Sequence, residues 1–345
     1  MRTSQGARMT TRRQFLRILA FGGSATLVLA CTSGAAATGL TAEPMGALVD
    51  VTARGMVINA GNQRRMLVLH EIGGSRWMPI WIGQFEADAI DRHLKQVPVA
   101  TTLTHPLMLN LVTATGSQVR EVRILDRDAD TFYAAVLLDT PNGPRAVDAR
   151  PSDAVALGLL AGAPLRLARQ LLETFGSDSE TEFVPRPGPV VAPAPASSAR
   201  TMLESEAEYV QVDVDGVAVN MTDFHRMVIL KHAPSSSSLI IWIGQFESAA
   251  IAMPLQGVPV ARPMSRDLML SLLAATGSRL REVRIDPLDA ESFRAHVCLD
   301  LPSGTAMVTA RPSDAIAMAL RTGALVLVAT SVMRPVTPSS DPPTA

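Results

Sequence analysis

The sequence predicts an α+β protein of two homologous domains, each a mixed or antiparallel β-sheet with about three helices. Two observations carry this. The chain repeats itself, and each repeat runs through segments of strand period and helix period in the order strands, two helices, strands, helix. "WIGQFEADAI" (81–90) returns as "WIGQFESAAI" (242–251), eight of ten letters kept, 161 positions on. The same offset lays "TGSQVREVRI" (115–124) on "TGSRLREVRI" (276–285) and "ARPSDAVAL" (149–157) on "ARPSDAIAM" (310–318). A period this long marks a duplicated domain, not a solenoid of about 20–50 residues per repeat.

In the first copy, "LVDVTARGMVIN" (48–59), "RMLVLHEI" (65–72) and "WMPIWI" (77–82) have the branched and apolar content of strands. "QFEADAIDRHLK" (84–95) places Phe85, Ala89, Ile90 and Leu94 at helical spacing. "THPLMLNLVTATG" (104–116) starts on a threonine that suits a helix cap and stops at Gly116. "QVREVRIL" and "TFYAAVLLD" alternate as paired strands, and "RAVDA" adds a short one. "RPSDAVALGLLAG" (150–162) is a helix with proline near its first turn and a glycine stop. The first domain therefore spans 48–175 and the second 208–330. Each is large enough to bury its own core. Between them, residues 176–207 are acidic and then proline-rich, which favours an extended spacer. A small-residue tether (32–47) precedes the first domain, and a proline- and serine-rich tail (331–345) follows the second.

Residues 1–31 read as an address. Arg12 and Arg13 resemble the twin-arginine export signal, and Val28-Leu29-Ala30-Cys31 resembles a lipobox in which Cys31 is lipidated. The expected location is therefore across the cytoplasmic membrane, held by a lipid anchor on its periplasmic or cell-surface side. Without residues 1–30 the chain has 26 basic residues against 32 acidic ones. Such a balance excludes holding nucleic acid by bulk positive charge, so any such contact is local. With Cys31 used, Cys298 is the other thiol of a two-cysteine chain, which excludes a disulfide framework. It sits in an apolar strand-like run and reads as a core residue.

Three stretches are polar where a core does not require it: Gly83-Gln84-Phe85-Glu86, Thr104-His105-Pro106-Leu107 and Arg150-Pro151-Ser152-Asp153. All fall at helix starts. An acid at the third helical position satisfies a free N–H and favours the dipole, which accounts for Glu86, Asp153, Glu247 and Asp314 as caps. Capping does not account for Arg150 and Arg311, a poor capping residue written twice in the same place.

These stretches resemble the bifunctional nuclease domain family, through "PIWIGQFEADAI", "LTHPLML" and "DARPSDAVALGL" in that order, with counterparts in the second copy. The resemblance covers both domains. It implies Glu86, Thr104, His105, Arg150, Ser152 and Asp153 as shared polar residues in copy one, and Glu247, Ser265, Asp267, Arg311, Ser313 and Asp314 in copy two. Of these, Glu86, His105, Arg150, Asp153, Glu247, Asp267, Arg311 and Asp314 are the candidate catalytic residues. Copy one has Pro106 where the family prefers aspartate, and copy two has Arg266 where it prefers histidine, so His105 and Asp267 survive on different domains. The implied activity is hydrolysis of phosphodiester bonds in RNA or DNA. Glu86 with Asp153, and Glu247 with Asp314, would hold Mg²⁺ or Mn²⁺, with Arg150 on the phosphate and His105 as acid or base. The competing reading is a catalytically degenerate, membrane-anchored binding or structural module with the same fold. On either reading the two copies are expected to pack as a pseudo-dimer, with higher oligomers open.

Overall fold

The computed structural model describes residues 46–58, 64–97, 103–128, 131–178, 208–221, 224–235, 237–260, 262–289 and 292–335. Arg12, Arg13, Cys31, nearly all of the tether, the stretch 179–207 and the stretch 336–345 lie outside the described residues.

The first copy runs β1 (Leu48–Ile58), β2 (Arg65–Glu71), β3 (Trp77–Ile82), α1 (Gln84–Leu94), α2 (Thr104–Ala114), β4 (Gln118–Asp128), β5 (Thr131–Thr140), β6 (Gly143–Ala149), α3 (Pro151–Ala161), β7 (Leu165–Ala168) and α4 (Arg169–Phe175). Its seven strands form one mixed sheet in the order β3-β2-β1-β7-β4-β5-β6. β4 and β7 pair in parallel and the other neighbours are antiparallel.

The second copy runs β8 (Tyr209–Val219), β9 (Arg226–His232), β10 (Ser237–Ile243), α5 (Gln245–Leu255), α6 (Ser265–Ala275), β11 (Arg279–Pro287), β12 (Phe293–Leu301), β13 (Gly304–Ala310), α7 (Pro312–Thr322), β14 (Leu325–Ala329) and the two-residue β15 (Arg334–Pro335). Its strand order, β13-β12-β11-β14-β8-β9-β10-β15, is the first sheet read from the other edge with β15 added beside β10. The expected two-domain α+β architecture is what the chain has.

Two elements of the first copy were not legible as such: β7, which completes the middle of the sheet, and α4. The four residues of β7 are too few to show a period, yet Leu165 and Leu167 are buried because the strand pairs with β1 and β4. α4 gives copy one a fourth helix. Copy two has at that place the three-residue 3-10 turn Thr330–Val332.

The helix that positions the candidate site is α3, and its burial explains its sequence. Every side chain from Pro151 to Gly158 is buried, so the segment "PSDAVALG" carries no amphipathic stripe. Proline at its first turn needs no N–H partner, and Gly162 ends it in the left-handed region at φ 65°. α7 repeats this between Pro312 and Gly323. The core is continuous across the copies: one cluster of buried hydrophobics includes Leu107, Val147 and Leu157 together with Leu268, Val308 and Met318. Contacts between copies are reciprocal. α2 packs on α6, α2 on β13 and α6 on β6, and Phe85 and Phe246 face each other with ring centroids 5.5 Å apart. Cys298 is buried in the sheet, and burial pushes its thiol pKa up. No described helix is long and apolar enough to cross a membrane.

Candidate functional site

The three polar helix starts of copy one converge on Asp153, which has no exposed surface. Arg150 stands just before α3 and bends back across its start. Its Nε donates to Asp153 Oδ2 at 2.7 Å and its Nη2 to Glu86 Oε1 at 2.6 Å. One guanidinium thus bridges the two carboxylates, as its planar fork allows. The backbone at Gly83 lets Glu86 fold this way: a Cβ there would stand 2.3 Å from Glu86 Oε2, and Gly244 meets Glu247 in the same manner at 2.3 Å. His105 Nε2 lies 2.9 Å from Asp153 Oδ1.

The remaining partner comes from the other copy. Ser265, at the start of α6, donates to Asp153 Oδ1 at 2.8 Å and accepts from Arg150 Nη2 at 3.1 Å. Burial by itself would raise the Asp153 pKa. The hydrogen bond and charge of His105, then Arg150 and Ser265, pull it down to about 2. Burial likewise opposes the charge on Arg150, but Asp153 and Glu86 reverse that and hold its pKa above the ordinary value. An ionised carboxylate only accepts, so His105 donates to it from Nε2.

The second copy repeats the arrangement with one substitution. Arg311 joins Asp314 Oδ2, through Nε at 2.9 Å and Nη2 at 2.7 Å, to Glu247 Oε1 at 2.9 Å. Arg266 takes the place of His105 and donates from Nε (2.9 Å) and Nη2 (2.6 Å) to Asp314 Oδ1. Thr104 of the first copy is fully buried here, accepting from Arg311 Nη2 at 3.0 Å and donating to Asp314 Oδ1 at 3.3 Å. Thr104 and Ser265 are equivalent positions, so each copy completes its partner's cluster.

This geometry revises several sequence expectations. None of α1, α2, α3, α5 and α7 has a side-chain cap hydrogen bond. The acids serve arginines, and Thr104 serves the other copy. Asp267 does not join the second cluster. It accepts from the Met264 backbone N–H at 2.8 Å and from Arg321 Nε at 2.8 Å. His105 and Asp267 are therefore not two halves of one site. Ser152 and Ser313 are buried, and no hydrogen bond joins Ser152 to His105.

The donor set does not fit Mg²⁺ or Mn²⁺. A hard divalent ion needs several free oxygen ligands. Here the space between Glu86 and Asp153 is filled by the Arg150 guanidinium, both Asp153 oxygens are engaged, and copy two is the same. No group of three or more His, Cys, Asp or Glu among the described residues is arranged to hold a metal. Residues with the chemistry of ligands are brought together, but as ion pairs.

Comparison with known proteins agrees with the repeat. The family model of the bifunctional nuclease domain matches twice, over residues 67–180 and 228–340. Uncharacterized proteins of Mycobacterium tuberculosis strains CDC 1551 / Oshkosh and ATCC 25618 / H37Rv are each 41% identical over 127 residues. That stretch is 37% of this chain and 76% of each relative, the length of one copy.

Proposed function

The chain belongs to the bifunctional nuclease domain family, and we propose that within it this protein acts by binding and not by turnover. Its two arginine–carboxylate clusters hold the copies together as one unit. One observation carries this reading: the Arg150 guanidinium occupies the place between Glu86 and Asp153 that metal-assisted hydrolysis would need open. Asp153 and His105 are each almost without exposed surface, which keeps a substrate from the Asp153 carboxylate.

The test is incubation of the purified full chain with RNA and with single-stranded DNA, with and without Mg²⁺ or Mn²⁺. The expected result is no metal-dependent loss. A loss that Asp153→Asn and Asp314→Asn both abolish overturns the reading in favour of phosphodiester hydrolysis. The hydrolytic reading has one supporting observation, since the Arg150 and Arg311 side chains keep 19% and 22% exposure and offer a guanidinium edge to a phosphate.

Export and lipid anchoring belong to the same proposal. With Arg12 and Arg13 both changed to lysine the chain should accumulate unprocessed, and Cys31→Ala should leave the membrane fraction. Normal processing of the first variant, or retention of the second after a salt wash, overturns this part.

A further inference from the structure

The two copies differ in what stands beside their exposed tryptophans, Trp81 and Trp242. In copy one, the Arg64 guanidinium lies over the Trp81 ring, 4.8 Å from its centroid, and Arg65 is ion-paired with Asp88 of α1. At the equivalent positions, copy two has His225, Arg226, Trp242 and Ala249. His225 stands edge-on to Trp242 at 6.1 Å instead of covering it. With alanine in place of the acid, Arg226 makes no ion pair or side-chain hydrogen bond among the described residues. The result is an open cleft of about 430 Å³ lined by His225, Arg226, Trp242, Ile243 and Gly244. Trp242 is 57% exposed, against 44% for Trp81.

A cleft of this size falls in the range of about 300–1,000 Å³ usual for small-ligand sites. Its two chemical features are an indole face and an arginine fork with its charge uncompensated. Indole and guanidinium side by side suit a planar ring joined to an acidic group: the ring stacks on the indole, and the acid takes the fork in a bidentate pair. Among the described residues the lining has an arginine and no acid, which disfavours a cationic ligand. We infer that this cleft of the second copy is a binding site for a small planar aromatic anion. The inference gives the binding reading above a class of ligand, and rests on it. In the first copy Asp88 instead holds the arginine and Arg64 covers the ring.

The experiment is calorimetric titration of the full chain with adenosine 5′-monophosphate, benzoate and inorganic phosphate. Saturable binding by about 1 mM is expected for one of the two aromatic anions, with one molecule per chain. Adenosine monophosphate alone would identify a phosphate-bearing ligand, and benzoate alone a carboxylate-bearing one. Ala249→Asp, on an exposed helix position, restores the partner that Arg65 has and should weaken binding about tenfold or more. Trp242→Ala should do the same, while Trp242→Phe retains binding. Conversely, Arg64→His with Asp88→Ala in copy one should raise the stoichiometry to two. Failure of both aromatic anions to saturate, binding insensitive to Ala249→Asp, or phosphate binding as well as either aromatic anion and indifferent to Trp242→Ala each overturns the inference. None of these outcomes depends on the hydrolysis assay, so the two readings fail separately.

Discussion

The two clusters share a geometry but differ in their fourth member. Around Asp314 two arginines face two acids. Around Asp153 one arginine and a histidine face the same pair. The copies differ again where α4 packs on β3, β4 and β7 and buries Leu171 and Leu172, while copy two has only a turn. The difference teaches which parts of the duplicated domain the unit needs twice. The bridge from arginine to two carboxylates is kept in both and the crossing hydroxyl is kept in both, while the residue facing the buried aspartate has changed from histidine to arginine.

The comparison is broken most easily at Arg266. Its two N–H groups hold a carboxylate without exposed surface, so Arg266→Met should cost about 3–5 kcal/mol in denaturant unfolding. His105→Ala removes one hydrogen bond and a buried ring stacked on Phe85, and should cost about 1–3 kcal/mol. Equal costs would show that the two clusters depend on their fourth member alike. Next in size, Leu172→Ala should cost about 2–5 kcal/mol because its cavity lies in packed core. The equivalent Met333→Ala, at a half-buried position on the turn, should cost clearly less, and parity would show that α4 adds no core.

Acid sharpens the comparison further. Asp153 titrates near 3.8 when unfolded and at about 2 when folded. A folded pKa below the unfolded one means the contribution is present above 3.8 and is lost as pH falls through about 2. The contribution is about 2 kcal/mol. Unfolding followed between pH 5 and 2 should show this slope, and Asp153→Asn should remove it. The smallest effects are at the hydroxyls. Thr104→Val and Ser265→Ala should each cost about 1 kcal/mol. In a double-mutant cycle Thr104→Val should couple to Asp314→Asn and not to Asp153→Asn. Coupling within a copy instead would contradict the crossed arrangement.

Much of the fold was legible because period and stops are local. β1, β3, α1, α2 and α3 lie within two residues of where alternation, helical spacing, Pro151 and Gly162 put them. β7 escaped since a four-residue central strand has no period to show. In the site, Arg150 and Arg311 were the informative residues: an arginine where a cap is expected has some other work, and both turn out to hold acids 64 positions away. The partners of Thr104 and Ser265 were not legible. A hydroxyl at a helix start has a sufficient local explanation, and nothing in the sequence points to a carboxylate 210 or 112 positions distant. The arginine between the carboxylates was not legible for the same reason. Residue spacing places carboxylates near each other but does not say that an arginine lies between them.

The crossing hydroxyls also set the terms on which the copies can change. Were they on two identical chains, the half-sites would separate on dilution, and any substitution would appear in both at once. On a single chain their meeting is unimolecular and indifferent to how much protein is present. Each half-site can then be altered while its partner is left intact, and a histidine facing one aspartate with an arginine facing the other is a divergence that two identical chains could not carry.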